Sequence, residues 1–195
     1  MSVIKTSSNE DNDSIIKEWR SLIEVSQKLT DYEHIVNHKS SFKFENRWCI
    51  AMEYIKGENL REYVQSKGIV AENEALNYVR HIGKSIQYLH KYHNLWHRDI
   101  KPFNIMLRQD TSQVVLINFG TVRPRLMELS QIIGTPGYAP YEQIKGLTEQ
   151  ICDATDIYAL AELFTIYLLA KSQWMQLEDK NNKKSSNPLR SLMPK

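Results

Sequence analysis

Three polar side chains in the stretch HRDIKPFN, residues 97–104, have types and a spacing that could support chemistry. Asp99, Lys101 and Asn104 follow the pattern D-x-K-x-x-N. Phosphoryl transfer needs a carboxylate that orients the attacking hydroxyl and accepts its proton, a cation near the γ-phosphate, and an oxygen ligand for Mg²⁺. A loop between a helix and a strand can aim all three side chains into one cleft. The spacing therefore predicts a phosphoryl-transfer site.

A second candidate metal ligand follows the next apolar strand. The run VVLI, 114–117, leads directly into NFG, so position 118 is asparagine. An amide oxygen can ligate a hard cation, but it brings no negative charge, and Mg²⁺ sites rely on one or two carboxylates. The sequence therefore predicts a metal site that is short of a charge.

Hydrophobic spacing predicts the elements that would position these side chains. Strands are predicted at 2–5, 47–54, 104–107 and 113–117, and helices at 14–29, within 57–68, at 75–90 and at 155–170. The helix over 75–90 has the strongest signal, because its apolar residues recur at intervals of three and four. The predicted order is a small strand-containing part followed by a mainly helical part, and the HRD segment lies in the second.

Composition narrows the class of protein. The 195 residues are 42% hydrophobic and 25% charged, which fits one or two soluble globular units. The net charge of +2 is too near neutral to indicate a nucleic-acid partner. Cys49 and Cys152 form no CxxC motif, which favours a reduced intracellular chain. The apolar run 157–170 is interrupted by Glu162 and is typical of a core helix rather than a membrane span. We therefore expect a cytoplasmic protein.

Taken in order, the motifs of the chain resemble those of the protein kinase superfamily. They are MEYI at 52–55 as a hinge, HRDIKPFN as the catalytic loop, NFG where DFG is expected, GTPGYAPYEQ at 134–143, and DATDIYALA at 153–161. Lys101 together with GTPGY resembles serine/threonine kinases rather than tyrosine kinases. The residues within and around these motifs are similar to those of bacterial, and especially cyanobacterial, members of the superfamily. The resemblance implies an α+β, bilobal protein-kinase-like fold that uses ATP and Mg²⁺.

The resemblance also implies roles in catalysis and metal binding. By position, Asp99 would be the catalytic base and Lys101 would contact the γ-phosphate. Asn104 and Asn118 would be the metal ligands. Thr135 would line the substrate site near Asp99.

Nucleotide binding is implied for a second group of residues. Lys5 aligns with the lysine that holds the α- and β-phosphates. Its glutamate partner would be Glu18 or Glu24, and the apolar pattern around Glu18 favours the former. Residues beside the adenine would be the gatekeeper Met52 and, through their backbone groups, Glu53 and Ile55.

Structural and regulatory roles are implied for the remaining motif residues. Arg98 would pair with a phosphate on the activation segment, Asp156 would anchor the catalytic loop, and Glu142 would be the glutamate of an APE-like motif. His97, Phe119 and Gly120 complete the HRD and NFG motifs.

Two departures from the family pattern concern the ends of the chain. We expect the glycine-rich loop and its strands to be missing, because they would precede Lys5, and the helices that normally follow residue 170 to be absent. The expected organisation is a partial amino-terminal lobe and hinge over 1–55, comprising the lysine strand, one helix and two more strands. A truncated, mainly helical carboxyl-terminal lobe over 56–172 and a basic tail over 173–195 would follow.

Four hypotheses about function follow. The chain could be an ATP- and Mg²⁺-dependent serine/threonine kinase acting on protein substrates, with weak activity because of Asn118 and the missing loop. It could be a pseudokinase that docks a partner protein without transferring phosphate, or a truncated gene product. A small-molecule phosphotransferase of related fold is a fourth, weaker hypothesis, since Lys101 and GTPGYAP fit protein substrates better.

Overall fold

The computed structural model describes residues 1–6, 23, 27–29, 32–68, 70–125 and 134–168, excluding the side chains of 166–168. Glu18, Glu24, most of the predicted helix over 14–29 and the predicted tail over 173–195 lie outside these residues. Residues 23, 27 and 28 are helical, as expected for that segment.

The described elements alternate between short strands and helices. The strands are β1 Ser2–Thr6, β2 His38–Phe44, β3 Arg47–Glu53, β4 Gly57–Asn59, β5 Leu95–Trp96, β6 Ile105–Arg108, β7 Val114–Leu116 and β8 Arg123–Pro124. The α-helices are α1 Leu60–Lys67, α2 Glu72–His93, α3 Tyr141–Lys145 and α4 Asp153–Glu162. Single 3₁₀ turns occupy Pro102–Asn104 and Thr148–Gln150, and α4 continues as a π-helix over Leu163–Leu168.

The first sheet presents Lys5 to the rest of the molecule. Its antiparallel strands lie in the order β1-β3-β2, with Lys5 opposite Ile50. Glu45 and Asn46 both have positive φ, 45° and 59°, as a two-residue hairpin turn between β2 and β3 requires. Lys5 is half-buried, whereas Ile4 and Thr6 on either side are exposed. The Lys5 side chain therefore points toward the interior face of the sheet.

Helix α2 is the central element of the helical part. Its buried residues recur at helical spacing and include Ala75, Tyr78, Ile82, Ile86 and Leu89, which confirms the strongest helix prediction. The helix ends at Asn94, whose left-handed backbone lets its N–H donate to the Leu89 carbonyl. Helix α2 packs on strand β7 and on helix α4. It therefore supports the strand that leads into the NFG segment and the helix that carries Asp156.

Two small sheets fix the ends of the loops that carry the site residues. Strands β4, β6 and β7 form one antiparallel sheet, and β5 pairs with β8. The HRD loop therefore runs from β5 to β6, and the NFG segment runs from β7 to β8. Ile35 forms a parallel bridge with Leu116, and Val36 N–H donates to the Leu116 carbonyl at 3.0 Å. This bridge joins the segment before β2 directly to the strand that leads into NFG.

Most element predictions are confirmed, including the α+β class. Strand β2 was not indicated by hydrophobic alternation, because five of its seven residues are exposed. The predicted helix over 155–170 begins earlier, at Asp153, and residues beyond 168 lie outside the described part. No described helix is long and apolar enough to cross a membrane.

Histidines that are partly or fully buried predict that acid destabilises the fold. Burial lowers the pKa of His38, His81, His93 and His97. These rings stay neutral in the folded chain at a pH where an unfolded chain, with an ordinary histidine pKa of about 6.5, takes up protons. Because the unfolded state then binds more protons, the free energy of unfolding is expected to fall as the pH drops below about 6.5. This loss of stability is complete once the pH has fallen below the pKa values of these histidines in the folded chain.

His81 offers a specific check of this pH dependence. Its ring stacks on that of His34 with centroids 4.2 Å apart. After burial, the nearby His34, Lys84 and Arg80 also lower the pKa of His81, whereas Glu33 raises it. His81→Phe keeps a flat ring against His34 but removes the titrating group, so its urea midpoint is expected to fall less between about pH 8 and about pH 5 than that of the wild type. Equal pH dependence in the two proteins would contradict this assignment.

Candidate active site

A fully buried carboxylate holds the backbone of the HRD loop in place. Asp156 on α4 accepts from the backbone N–H groups of His97 and Arg98 at 2.8 and 2.7 Å and from His90 Nε2 at 2.8 Å. Burial alone would raise the pKa of Asp156, but the hydrogen bond from His90 and those from the backbone lower it overall. An ionised carboxylate thus holds the loop in a conformation in which Arg98 has a positive φ of 65°.

Asp99 lies at the centre of a network of hydrogen-bond donors. Its Oδ2 is 2.9 Å from Lys101 Nζ and 2.8 Å from Asn104 Nδ2, and its Oδ1 accepts from Thr135 Oγ1 at 2.8 Å. Lys101 Nζ also donates to Thr135 Oγ1 at 2.9 Å. The structure therefore brings together a carboxylate, an ammonium group and a hydroxyl, as the spacing of the HRD motif predicts for the first two.

The NFG segment meets Lys5 from the first sheet. Lys5 Nζ donates to Asn118 Oδ1 at 2.7 Å, and Asn118 Nδ2 donates to Asn104 Oδ1 at 3.1 Å. Asn118 has a φ of 65°, in the left-handed region where asparagine is enriched. A Cβ at Gly120 would lie 3.6 Å from both Lys5 Nζ and Asn118 Oδ1, so the backbone there closely approaches this pair. The site thus spans both parts of the molecule.

The segment after NFG is tied back to the HRD motif. Thr121 Oγ1 donates to the His97 carbonyl at 2.9 Å, and the Arg98 guanidinium donates twice to the Thr121 carbonyl. The rings of His97 and Phe119 meet edge to face with centroids 5.5 Å apart. Burial, and then the neighbouring Arg123, lower the pKa of Arg98 to about 10. Arg98 therefore remains charged at neutral pH within a largely buried site.

Thr135 is positioned by the close packing of residues around it. Gly134 has a φ of 150°, and a Cβ there would meet the Ala139 Cβ at 2.6 Å, so glycine is required. Gln143 Nε2 donates to the Arg98 carbonyl, which joins the GTPGYAP segment to the HRD loop. Glu142 accepts from Thr155 Oγ1 at 3.2 Å. These contacts join the segment that carries Thr135 to the HRD loop and to α4.

The hinge carries a contact that the sequence did not indicate. The Glu53 carboxylate accepts from the Asn37 N–H at 3.1 Å and pairs with Arg108 Nη2 at 3.0 Å. Met52 is half-buried and Ile55 is buried, at the end of the first sheet. Their roles beside adenine stay predictions.

The chain matches the family model described as the protein kinase domain over residues 1–193. It belongs to the protein kinase family. The kinase domain is 32% identical over 146 residues to the serine/threonine-protein kinase PknA of Nostoc sp., which covers 70% of the chain and 25% of the relative. It is 31% identical over 140 residues to serine/threonine-protein kinase B of Synechocystis sp., covering 66% of the chain and 24% of that relative. These matches support a bacterial serine/threonine kinase-like function.

The kinase domain spans only part of such relatives. Its match covers about a quarter of the length of PknA and of kinase B. The resemblance predicted from HRDIKPFN, NFG and GTPGYAPYEQ is confirmed at the level of the family, and so is the kinase-like α+β fold.

The kinase domain presents a better set of groups for nucleotide phosphates than for Mg²⁺. The family uses ATP with Mg²⁺, and the ammonium groups of Lys5 and Lys101 could both approach phosphate oxygens. The candidate cation ligands, Asn104 and Asn118, supply amide oxygens. Each of these oxygens already accepts a hydrogen bond from another side chain. Among the described residues, no cluster of three or more His, Cys, Asp or Glu side chains could hold a metal ion. The residues present therefore fit a nucleotide and do not fit a tightly bound Mg²⁺.

Several contacts of the kinase domain were not indicated by the sequence, and three of them involve residues that were not chosen as site residues. They involve Gln143 with the HRD backbone, His90 with Asp156, and Arg108 with Glu53. Gln143 is the last residue of the motif GTPGYAPYEQ, and that position was the only indication in the sequence that it belongs to the site.

Proposed function

We propose that this kinase domain binds ATP between the first sheet and the HRD loop and transfers its γ-phosphoryl group slowly to serine or threonine of a protein. The observation that carries the proposal is the placement of the Asp99 carboxylate within hydrogen-bond distance of both Lys101 and a hydroxyl, that of Thr135.

The contacts of Asp99 support an assignment of steps. Asp99 would orient the substrate hydroxyl and accept its proton as the bond from oxygen to phosphorus forms. The bond from the γ-phosphorus to the bridging oxygen breaks, and ADP leaves. Lys101 would lie beside the transferred group, and Lys5 would hold the other phosphates. Catalysis of this kind depends mainly on positioning and on charges aimed at the phosphates.

The low rate is proposed because the chain lacks a carboxylate at position 118. Mg²⁺, when bound in this family, offsets the charge that develops on the phosphates. Replacing a transition-state-stabilising group typically lowers a rate by about 100-fold to 1,000-fold. The remaining residues would still orient the nucleotide and the hydroxyl, so a slow reaction is the expected outcome.

The second candidate is a pseudokinase that docks a partner protein and transfers no phosphate. The observation in its favour is the direct bond from Lys5 to Asn118, which uses the nucleotide-facing ammonium group within the protein itself. Under either candidate, the partner is a protein rather than a nucleic acid, and we propose a cytoplasmic location and the lobe boundary near residue 55.

Calorimetric titration with ATP tests the proposal. The wild type is expected to bind ATP, and Lys5→Met is expected to weaken binding by about tenfold or more, because a charge pair near a protein surface contributes on the order of 1–4 kcal/mol. Lys67→Met is the matched control, since Lys67 is exposed at the end of α1. Failure of the wild type to bind ATP in any buffer would contradict nucleotide binding.

Transfer of labelled phosphate to a peptide then separates the two candidates. Slow labelling of a serine/threonine peptide, but not of a tyrosine peptide, supports the kinase. Binding of ATP with no transfer at a large excess of protein supports the pseudokinase instead.

A further inference from the structure

A continuous chain of hydrogen bonds crosses the cleft from the first sheet to the catalytic loop. It runs from Lys5 Nζ to Asn118 Oδ1 at 2.7 Å, then from Asn118 Nδ2 to Asn104 Oδ1 at 3.1 Å. From Asn104 Nδ2 it continues to Asp99 Oδ2 at 2.8 Å. Two amides therefore occupy the space between an ammonium group and a carboxylate.

The direction of this chain is fixed by its ends. A lysine ammonium only donates, so the atom of Asn118 that faces Lys5 must be its oxygen. An ionised carboxylate only accepts, so the atom of Asn104 that faces Asp99 must be its nitrogen. With both ends fixed in this way, the remaining contact pairs a donor with an acceptor only when Asn118 Nδ2 donates to Asn104 Oδ1.

Aspartate at position 118 could not take the place of the amide. Its carboxylate would accept from Lys5 but would present a second acceptor to Asn104 Oδ1. Turning the Asn104 amide around would repair that contact only by placing its oxygen against Asp99. The side chain at position 118 must accept from Lys5 and donate to Asn104, and an asparagine amide does both.

The same contacts occupy the oxygens that would otherwise ligate a cation. Asn118 Oδ1 accepts from Lys5, Asn104 Oδ1 accepts from Asn118, and Asp99 accepts from Lys101 and Asn104 on one oxygen and from Thr135 on the other. A divalent cation would have to displace these donors, and among the described residues that contact these oxygens it would lie near the ammonium groups of Lys5 and Lys101 and the carboxylate of Asp99. The arrangement opposes a hard cation and favours an anion.

We propose that this site binds the phosphates of a free nucleoside triphosphate without a divalent cation, the Asn118 amide linking the groups that a metal would otherwise join. The inference rests on the proposed nucleotide binding and adds its ionic requirement. The ligand is ATP that carries no Mg²⁺, and its phosphate charge is met by Lys5 and Lys101.

Titration with ATP in excess EDTA and in excess Mg²⁺ tests the inference. The wild type is expected to bind ATP in EDTA at least as tightly as in Mg²⁺. Asn118→Asp is expected to bind about tenfold or more weakly in EDTA, because the new carboxylate repels the phosphates, and to gain affinity when Mg²⁺ is added. Asn77→Asp is the matched control: it adds the same charge at an exposed position of α2, where residue 77 accepts from Arg80.

The outcomes are distinct. Wild-type binding that weakens by about tenfold or more in EDTA overturns the inference and leaves the proposed nucleotide binding in place. Absence of binding in both buffers overturns the proposed function and, with it, the inference.

A measurement on the wild type alone does not depend on the folding of a variant. Mn²⁺ is titrated into the protein with and without ATP, and the free ion is followed by electron paramagnetic resonance. No more Mn²⁺ is expected to be bound with the protein–ATP complex than with ATP alone. Additional Mn²⁺ bound at the protein in the presence of ATP would contradict a cation-independent site.

Discussion

Asp99→Asn is expected to lower the rate of phosphoryl transfer by a factor of about 100 to 10,000, because general-base catalysis by a positioned side chain contributes that much. The carboxylate is only 10% exposed and contacts Lys101, Asn104 and Thr135. An amide has the same shape as the carboxylate but cannot accept the substrate proton. The affinity for ATP is expected to change far less than the rate.

Single-turnover labelling of a serine/threonine peptide, at a large excess of protein over labelled ATP, measures this rate. The matched control is Asp110→Asn, in the exposed turn between β6 and β7, which removes the same charge away from the cleft. Equal rates for the wild type and Asp99→Asn would exclude Asp99 as the base. Parallel losses of rate and ATP affinity would indicate a structural role for its carboxylate.

Asp156→Ala is expected to lower the free energy of unfolding by about 3–5 kcal/mol, because each buried donor left without an acceptor costs about 1–3 kcal/mol and three donors share this carboxylate. The substitution leaves the N–H groups of His97 and Arg98 and His90 Nε2 without their shared acceptor. Single domains are stable by only about 5–15 kcal/mol, so this is a large share of the total.

Urea unfolding followed by circular dichroism measures the loss. Asp110→Ala, a truncation at an exposed turn position, is the control and is expected to change stability by no more than about 0.5 kcal/mol. Asp156→Asn should fall between the two, because its amide retains one acceptor for three donors. A loss in Asp156→Ala no larger than that of the control would contradict the anchoring role of Asp156.

Sequence could predict the groups of the site better than their contacts. Asp99, Lys101 and Asn104 lie on one short loop, so their spacing alone brought them together. Lys5 and Asn118 were both chosen as site residues, but the bond between them was not foreseen, because Asn118 was interpreted as a metal ligand. That bond depends on how the first sheet faces the NFG segment, which is a property of tertiary packing.

The contacts of polar residues outside the motifs could not be predicted from the sequence for a different reason. His90 and Arg108 lie at the end of a helix and of a strand, where a polar side chain is ordinarily solvated. Only the position of Asp156 on α4 and of Glu53 on β3 turns them into partners. The exposed strand β2 was missed because alternation marks a strand only when one face is buried.

The bridge between Ile35 and Leu116 bears on how the chain folds. Leu116 donates its N–H to the His34 carbonyl at 2.8 Å and accepts from Val36 N–H at 3.0 Å. Separating the amino-terminal sheet from the helical part would break both of these hydrogen bonds and expose a leucine that is fully buried in the intact structure. We therefore expect the amino-terminal sheet and the helical part to unfold in one cooperative transition rather than separately.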